Sequence, residues 1–160
     1  DRGLARLAHL KSLSLCGTRV GDTGMGHLLR LENLERLELT GTRVGNVGMG
    51  AVGRLTSLTT LHLDRTRVGD EGVARLGGLE NLEVLGLAAT RITDVSAAAL
   101  ARLPRLRELS LSTTRISDTG LERLAQAPRL EQVVLTLTPT TRLGRLSLQQ
   151  SVMPDAEQNP

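Results

Sequence analysis

The 160-residue chain contains no Phe, Tyr or Trp, although 39% of it is hydrophobic. That lack counts against several functions. Modules that read single strands or RNA stack bases on aromatic rings. Tight protein interfaces lean on Trp and Tyr anchors, and grooves that read polyproline segments are lined by aromatic side chains. Cysteine is nearly missing too. Cys16 alone cannot form an internal disulfide, which suits a reducing compartment such as the cytoplasm, or a fold that needs no covalent staple. Among the 20 basic residues only Lys11 is Lys, so the high isoelectric point reflects the permanent charge of Arg. With 17 acidic residues the net charge is +3, which is no polyanion-binding signature by itself. No apolar run approaches the ~18 residues of a transmembrane helix. No signal peptide is visible in this stretch, which opens on Asp1 rather than Met. What remains for a core is Leu, Val and Ala, with three Met and the two residues Ile92 and Ile116.

These small apolar residues are strictly arranged. Thr18, Thr42, Thr66, Thr90, Thr114 and Thr138 stand 24 residues apart. So do Leu10, Leu34, Leu58, Leu82, Leu106 and Leu130, and likewise Leu15, Leu39, Leu63, Leu87, Leu111 and Leu135. Leu13, Leu37, Leu61, Leu85 and Leu109 complete the pattern, with Val133 in the sixth copy. In L-x-L both Leu point to one side of a strand and the middle residue to the other. Val20, Val44, Val68, Ile92 and Ile116 continue the apolar side after a turn. Asp22, Asn46, Asp70, Asp94 and Asp118 follow as residue types that cap helices. Apolar residues then recur three apart, as in Met25-Leu28-Leu31 and Leu121-Leu124-Ala127, the spacing of one face of a short helix. Each unit reads as strand, loop, helix and return. One unit cannot bury its apolar face alone; stacked copies can, and uniform Leu layers need no large rings.

The L-x-x-L-x-L-x-x-T cores, for example Leu34 to Thr42 and Leu82 to Thr90, resemble the leucine-rich repeat family over about residues 1–138. The resemblance implies an α/β solenoid: a curved horseshoe segment with parallel strands on the concave face and short helices on the convex face. Thr stands where that family usually has Asn or Cys. The expected organisation is an array of about six repeats over 1–138, an off-register segment at 139–150 as a candidate C-terminal cap, and a disordered tail at 151–160. Pro139 breaks the pattern at the Arg position. At the other end, Asp1-Arg2-Gly3-Leu4 echoes Asp70-Glu71-Gly72-Val73, whereas a strict count of 24 aligns Leu4 with Leu28; both registers stay open. No polar N-terminal cap is evident, as expected of an excised or truncated array.

Three features are candidates for function. The Thr ladder reads as structural, each hydroxyl bonding the backbone of the neighbouring repeat. Arg19, Arg43, Arg67, Arg91 and Arg115 follow the Thr residues and should line one edge of the concave face at the strand spacing of about 4.8 Å. Neighbour repulsion in water is about 1 kcal/mol or less, so such a column is tolerable. It suits carboxylate, phosphate or sulfate. The competing reading pairs each Arg with a local acid such as the capping Asp, leaves it solvated, or makes it a relic of duplication. On the concave face, repeats two and three present Arg36, Glu38, His62, Asp64 and Arg65, the best candidate for a partner-binding patch, against ordinary solvated strand surface. Repeat four, with Val84, Gly86, Ala88 and Ala89, should be a bare floor.

Catalysis finds little support. His62 and Asp64 share a strand face, but Cys16 lies two repeats away, about 10 Å by strand spacing. His9, His27 and His62 fall at different repeat positions and do not cluster as metal ligands. No cofactor or metal is expected. The reading is a non-catalytic, monomeric module that binds a protein through its concave face. The alternatives are an anion-binding module using the Arg column, for sulfated glycan, phospholipid headgroup or nucleic acid, and a passive scaffold segment of a larger repeat protein.

Overall fold

The computed structural model describes residues 9–152. Strands β1 (Ser12–Ser14), β2 (Arg36–Glu38), β3 (Thr60–His62), β4 (Val84–Gly86), β5 (Glu108–Ser110) and β6 (Gln132–Val134) form one parallel sheet in sequence order. Every pairing is offset by one repeat, so Leu13, Leu37, Leu61, Leu85, Leu109 and Val133 form one row across the sheet. The protein is an α/β solenoid, with helices on the opposite side of the Leu core from the open face of the sheet.

The convex segments are short. Helix α1 (Asp22–Met25) runs into a 3₁₀ turn at Gly26–Arg30, α2 spans Met49–Val52, and α3 (Asp70–Ala74) runs into a 3₁₀ turn at Arg75–Gly78. Glycine explains the brevity: Gly24 and Gly26 fall in the first stretch, Gly50 sits between flanking Gly48 and Gly53 in the second, and Gly72, Gly77 and Gly78 fall in the third. Helix α4 (Asp94–Leu100), whose interior is Ala-rich, and α5 (Asp118–Leu124) reach seven residues each. Helix α6 (Arg142–Val152) ends the described chain. Between sheet and helices the middle repeats are dry: Leu37, Leu39, Leu58, Leu61, Leu63 and Leu82 are fully buried. The outer layers are less covered, and Leu13, Leu15, Val20, Val133 and Leu135 stay partly exposed.

The Asp positions act differently from the expectation of caps. The residue before α1, α3, α4 and α5 is Gly21, Gly69, Thr93 or Ser117, and the Asp is the first helical residue. Its carboxylate turns outward to the next repeat. Asp22 Oδ1 accepts from Gly45 N–H at 2.7 Å, Asn46 Oδ1 from Gly69 at 2.8 Å, Asp70 Oδ1 from Thr93 at 2.9 Å and Asp94 Oδ1 from Ser117 at 2.7 Å. Thr93 and Ser117 add their hydroxyls to the same carboxylates. The N–H ahead of α3, α4 and α5 is thus satisfied from the repeat before, and these units are stapled to their neighbours.

The glycine two residues after each Asp position belongs to this device. A Cβ on Gly48, Gly72 or Gly120 would overlap the carbonyl or carboxylate oxygen of Asp22, Asn46 or Asp94. In repeat four Ser96 stands at that place, and its hydroxyl bonds Asp70 Oδ1 at 2.5 Å instead of colliding with it. Burial raises the Asp70 carboxyl, but hydrogen bonds from Ser96 and Thr93 outweigh burial and leave the group below the ordinary carboxylate range.

One further expectation is corrected. The Thr hydroxyls bond within their own repeat: Thr42, Thr66, Thr90 and Thr114 donate to the carbonyls of Leu39, Leu63, Leu87 and Leu111 at 2.6–2.7 Å, closing the turn that leaves the strand. From Arg142 the segment that follows the array is helical. Thr141 and Gly144 stand 24 residues after Ser117 and Gly120 and take the same places. Asp118 accepts from Thr141 N–H at 2.8 Å and from its hydroxyl at 2.6 Å, and a Cβ on Gly144 would overlap Asp118. Pro139 has no N–H to give Ile116 O, and the Thr138 hydroxyl pairs with that of Thr140 rather than with Leu135 O, yet the staple from Asp118 persists. Ser151 and Val152, placed by sequence in a tail, finish α6. The two registers proposed for residues 1–4, and the tail from 153 onward, lie outside the described residues.

Candidate partner-binding surface

The open face of the sheet is built by the outward residues of each strand. One row is Ser14, Glu38, His62, Gly86, Ser110 and Val134, aligned by the strand register. The next row is Cys16, Thr40, Asp64, Ala88, Ser112 and Thr136, two residues further along each repeat. One position beyond, every chain turns in the left-handed region: Gly17, Gly41, Arg65, Ala89, Thr113 and Leu137 have φ between 54° and 70°. Only two of the six are Gly, so the others carry backbone strain. The turn is held because the N–H at this position reaches the next repeat, as from Gly17 to Thr40 O and from Arg65 to Ala88 O.

Of the five residues singled out on this face, Glu38, His62 and Asp64 are neighbours, while Arg36 and Arg65 stand on the same two repeats. Arg36 and Arg65 are exposed, and Glu38, His62 and Asp64 are half-buried. Glu38 and His62 are direct strand partners. His62 Nδ1 lies 3.7 Å from Asp64 Oδ2, while Asp64 Oδ1 accepts from Ala88 N–H at 2.7 Å. His62 and Asp64 therefore lean over repeat four. A Cβ on Gly86 would overlap Asp64 Oδ2 and crowd His62, so the expected bare floor is roofed on one side, and Gly86 itself is buried. Beyond that roof, Val84, Gly86, Ser110 and Val134 form the floor of a notch of about 130 Å³, with Glu108 and Gln132 beside it. Sequence reading missed this notch. Its signal was the side-chain size step from His62 to Gly86 at one repeat position.

Along the lower rim run Lys11, Glu35, Thr59, Glu83, Arg107 and Glu131. Lys11 donates to Glu35 at 2.8 Å, and Arg107 grips both oxygens of Glu131 at 2.8 and 2.9 Å. The Arg107 hydrogen bonds hold Glu131 below its ordinary range. Cys16 is exposed and its thiol approaches Glu38 Oε2 at 3.8 Å.

The Arg column is regular. Backbone N–H groups of Arg43, Arg67, Arg91 and Arg115 donate to Val20, Val44, Val68 and Ile92 at 2.8–3.2 Å, fixing the column in step with the repeats. All five guanidiniums, from Arg19 to Arg115, are exposed. None forms an ion pair or side-chain hydrogen bond among the described residues, so direct pairing with the neighbouring Asp is not how they are accommodated. The Asp row is engaged with the next repeat and runs alongside the column, offsetting its field at a distance.

Among the described residues no group of three His, Cys, Asp or Glu side chains is placed to hold a metal ion, and no helix is long and apolar enough to cross a membrane.

Comparison with curated proteins finds no match. Among solved structures the chain is similar to an internalin (inlF) from Listeria monocytogenes, with a TM-score of 0.66 at 18% identity, over 92% of this chain and 48% of that one. It is also similar to PEPR1-AtPEP1, with a TM-score of 0.55 at 21% identity, over 81% of this chain and 18% of that one. The chain thus spans about half the internalin and under a fifth of the second structure. Two family models, both described as leucine rich repeat, match residues 8–68 and 103–125. With their strands, stapled turns and convex helices in one 24-residue register, these repeats make the chain a member of the leucine-rich repeat family.

Proposed function

We propose that the chain recognises a protein partner through the concave face, with Arg36, Glu38, His62, Asp64 and Arg65 as the contact patch and the adjoining notch over Gly86 as a seat for a small apolar group. Leucine-rich repeats serve in general as protein-interaction modules, usually without catalysis. The observation that carries the reading is a contrast within each strand. Inward positions repeat Leu, whereas outward positions differ from repeat to repeat and gather charge at Arg36 and Glu38 in β2 and at Asp64 and Arg65 just past β3. Packing accounts for the first set and not for the second. With no aromatic anchor on the face, charge, hydrogen bonds and extended shape carry the recognition.

A second reading is an anionic partner held by the Arg column, favoured by five guanidiniums without partners among the described residues. It predicts steep salt dependence. Capture on immobilised protein separates the two. Arg36→Glu with Arg65→Glu removes partner recovery if the concave patch binds, and Arg67→Glu with Arg91→Glu removes it if the column does. Recovery that survives both pairs, with circular dichroism unchanged, rejects both surfaces, and no recovery by the parent protein itself leaves a scaffold segment.

A further inference from the structure

The joints between repeats share one strand ladder but differ in what locks them beyond it. Past the turn, a second parallel bridge joins Gly21 to Arg43, Gly69 to Arg91 and Thr93 to Arg115. At the joint of repeats two and three, no such bridge joins Gly45 to Arg67. The staple is weakest at the same joint. Asp70 accepts from Thr93 N–H and from the hydroxyls of Thr93 and Ser96, while Asp94 and Asp118 each accept from an N–H and a hydroxyl. Asp22 offers a charged oxygen to Gly45 N–H. Asn46 offers a neutral one to Gly69 N–H, and Gly69 has no hydroxyl to add. A neutral hydrogen bond is about half as strong as a charge-assisted one.

The convex layer is loose there too. Helix α2 starts at Met49, three residues after Asn46, whereas α1, α3, α4 and α5 start on the Asp itself. Gly48, Gly50 and Gly53 lie in or beside its four residues, and their backbone freedom opposes a longer helix. Asn46 Nδ2 donates to Glu71 Oε2 at 3.5 Å, so a carboxylate at position 46 would face a like charge. The lower rim of the joint is held firmly. Thr59 and Thr60 N–H both donate to Glu35 O, the Thr59 hydroxyl adds a third bond at 3.1 Å, and Asn81 Nδ2 reaches Thr56 O at 3.1 Å.

We infer that the joint between repeats two and three is a hinge in the concave face, which opens on its turn side while its lower rim and the neighbouring joints stay closed. Arg36 and Glu38 stand on one side of it, and His62, Asp64 and Arg65 on the other. Asp64 is tied to Ala88 N–H, so repeat three moves with repeat four. Opening therefore changes the spacing across the patch and lets it adapt to the shape it meets. That consequence rests on the recognition reading, whereas the hinge does not.

Amide exchange of the whole chain, read by nuclear magnetic resonance and corrected for intrinsic rates, tests the hinge. Arg67 and Gly69 N–H should exchange at least about tenfold faster than Arg91 and Thr93 N–H. They should also exchange faster than Arg43 and Gly45 N–H, while Thr60 N–H stays slow. Equal rates at all joints overturn the inference. So does an order in which Arg43 and Gly45 are fastest, which is fraying from the first repeat, or a Thr60 N–H as fast as that of Arg67, which is separation of the whole joint. Asn46→Asp with Gly69→Ser and Glu71→Thr copies Asp94, Ser117 and Thr119 onto this joint, where Gly72 already matches Gly120. A Cβ on Gly69 meets no atom closer than 3.6 Å, so Ser fits. Arg67 N–H should then slow to within about threefold of Arg91 N–H. Unchanged fast exchange in the folded variant overturns the inference, and the order of rates in the parent decides it without any variant. A concave patch that recovers no partner leaves that order unaffected, so the two readings fail separately.

Discussion

Each Asp of the repeat carries out one task at a distance of 23 residues: its carboxylate satisfies the first N–H of the following unit. Asp94→Ala would leave Ser117 N–H and its hydroxyl without an acceptor in a half-buried turn. The expected cost is about 2–3 kcal/mol in urea unfolding, the scale of a lost hydrogen bond to a charged group. Asp94→Asn should cost less, because Asn46 already fills that role in repeat two. The same contacts set a pH dependence. Asp70 and Asp118 lie below the ordinary value, Asp70 because hydrogen bonds from Ser96 and Thr93 outweigh burial, Asp118 through hydrogen bonds from Thr141. The unfolded chain therefore binds protons more readily, and the contribution is complete above the ordinary aspartate value of about 3.9 and lost as pH falls through the lower folded values. Denaturant midpoints measured from about pH 6 to about pH 2 should fall in the acid range, and less steeply in a protein carrying Asp70→Asn and Asp118→Asn. Residue identity alone pointed to Asp as a helix cap; both roles use the same oxygen, and only the fold distinguishes an N–H of the same helix from one in the next repeat.

At the scale of the element, the strand and helix positions were legible because each is a repeated answer to one packing problem. Leu13 to Val133 share a row, and the buried Val44, Val68, Ile92 and Ile116 share another. Helix length was not legible from periodicity. It follows local propensity, short where Gly is frequent and longer in the Ala-rich α4. Gly48, Gly72 and Gly120, each two residues after the Asp position, have a tertiary reason, visible once Asp94 is seen to fill the space beside Gly120. Gly120→Ala should therefore destabilise by about 1–3 kcal/mol despite its gain in helix propensity, since the added carbon overlaps a fixed carboxylate. Gly120→Ser should be milder, as Ser96 turns the same crowding into a hydrogen bond. Thermal unfolding of the two variants compares them directly, and equal stability of Gly120→Ala and the parent would contradict the account.

Over the whole molecule, a core without rings is the consequence of stacking like on like. Identical Leu layers fill a uniform interior, and the same uniformity leaves little side-chain variety except where residues face out. The candidate patch was legible as positions, since alternation alone assigns Arg36, Glu38, His62 and Asp64 to one face. The way His62 and Asp64 lean across Gly86 was not, because it depends on side-chain sizes in two adjacent repeats. Nor was the absence of partners along the Arg column among the described residues, which follows from the Asp row being engaged elsewhere. The central claim is that the varied outward face of β2 and β3 is the recognition surface. The most direct test measures partner recovery by immobilised parent protein, by the Arg36→Glu and Arg65→Glu variant, and by the Arg67→Glu and Arg91→Glu variant, all with matched circular dichroism. The account predicts a loss of about tenfold or more for the first variant, the scale of a reversed charge at a contact patch, and near-parent recovery for the second; undiminished recovery by the first would contradict it.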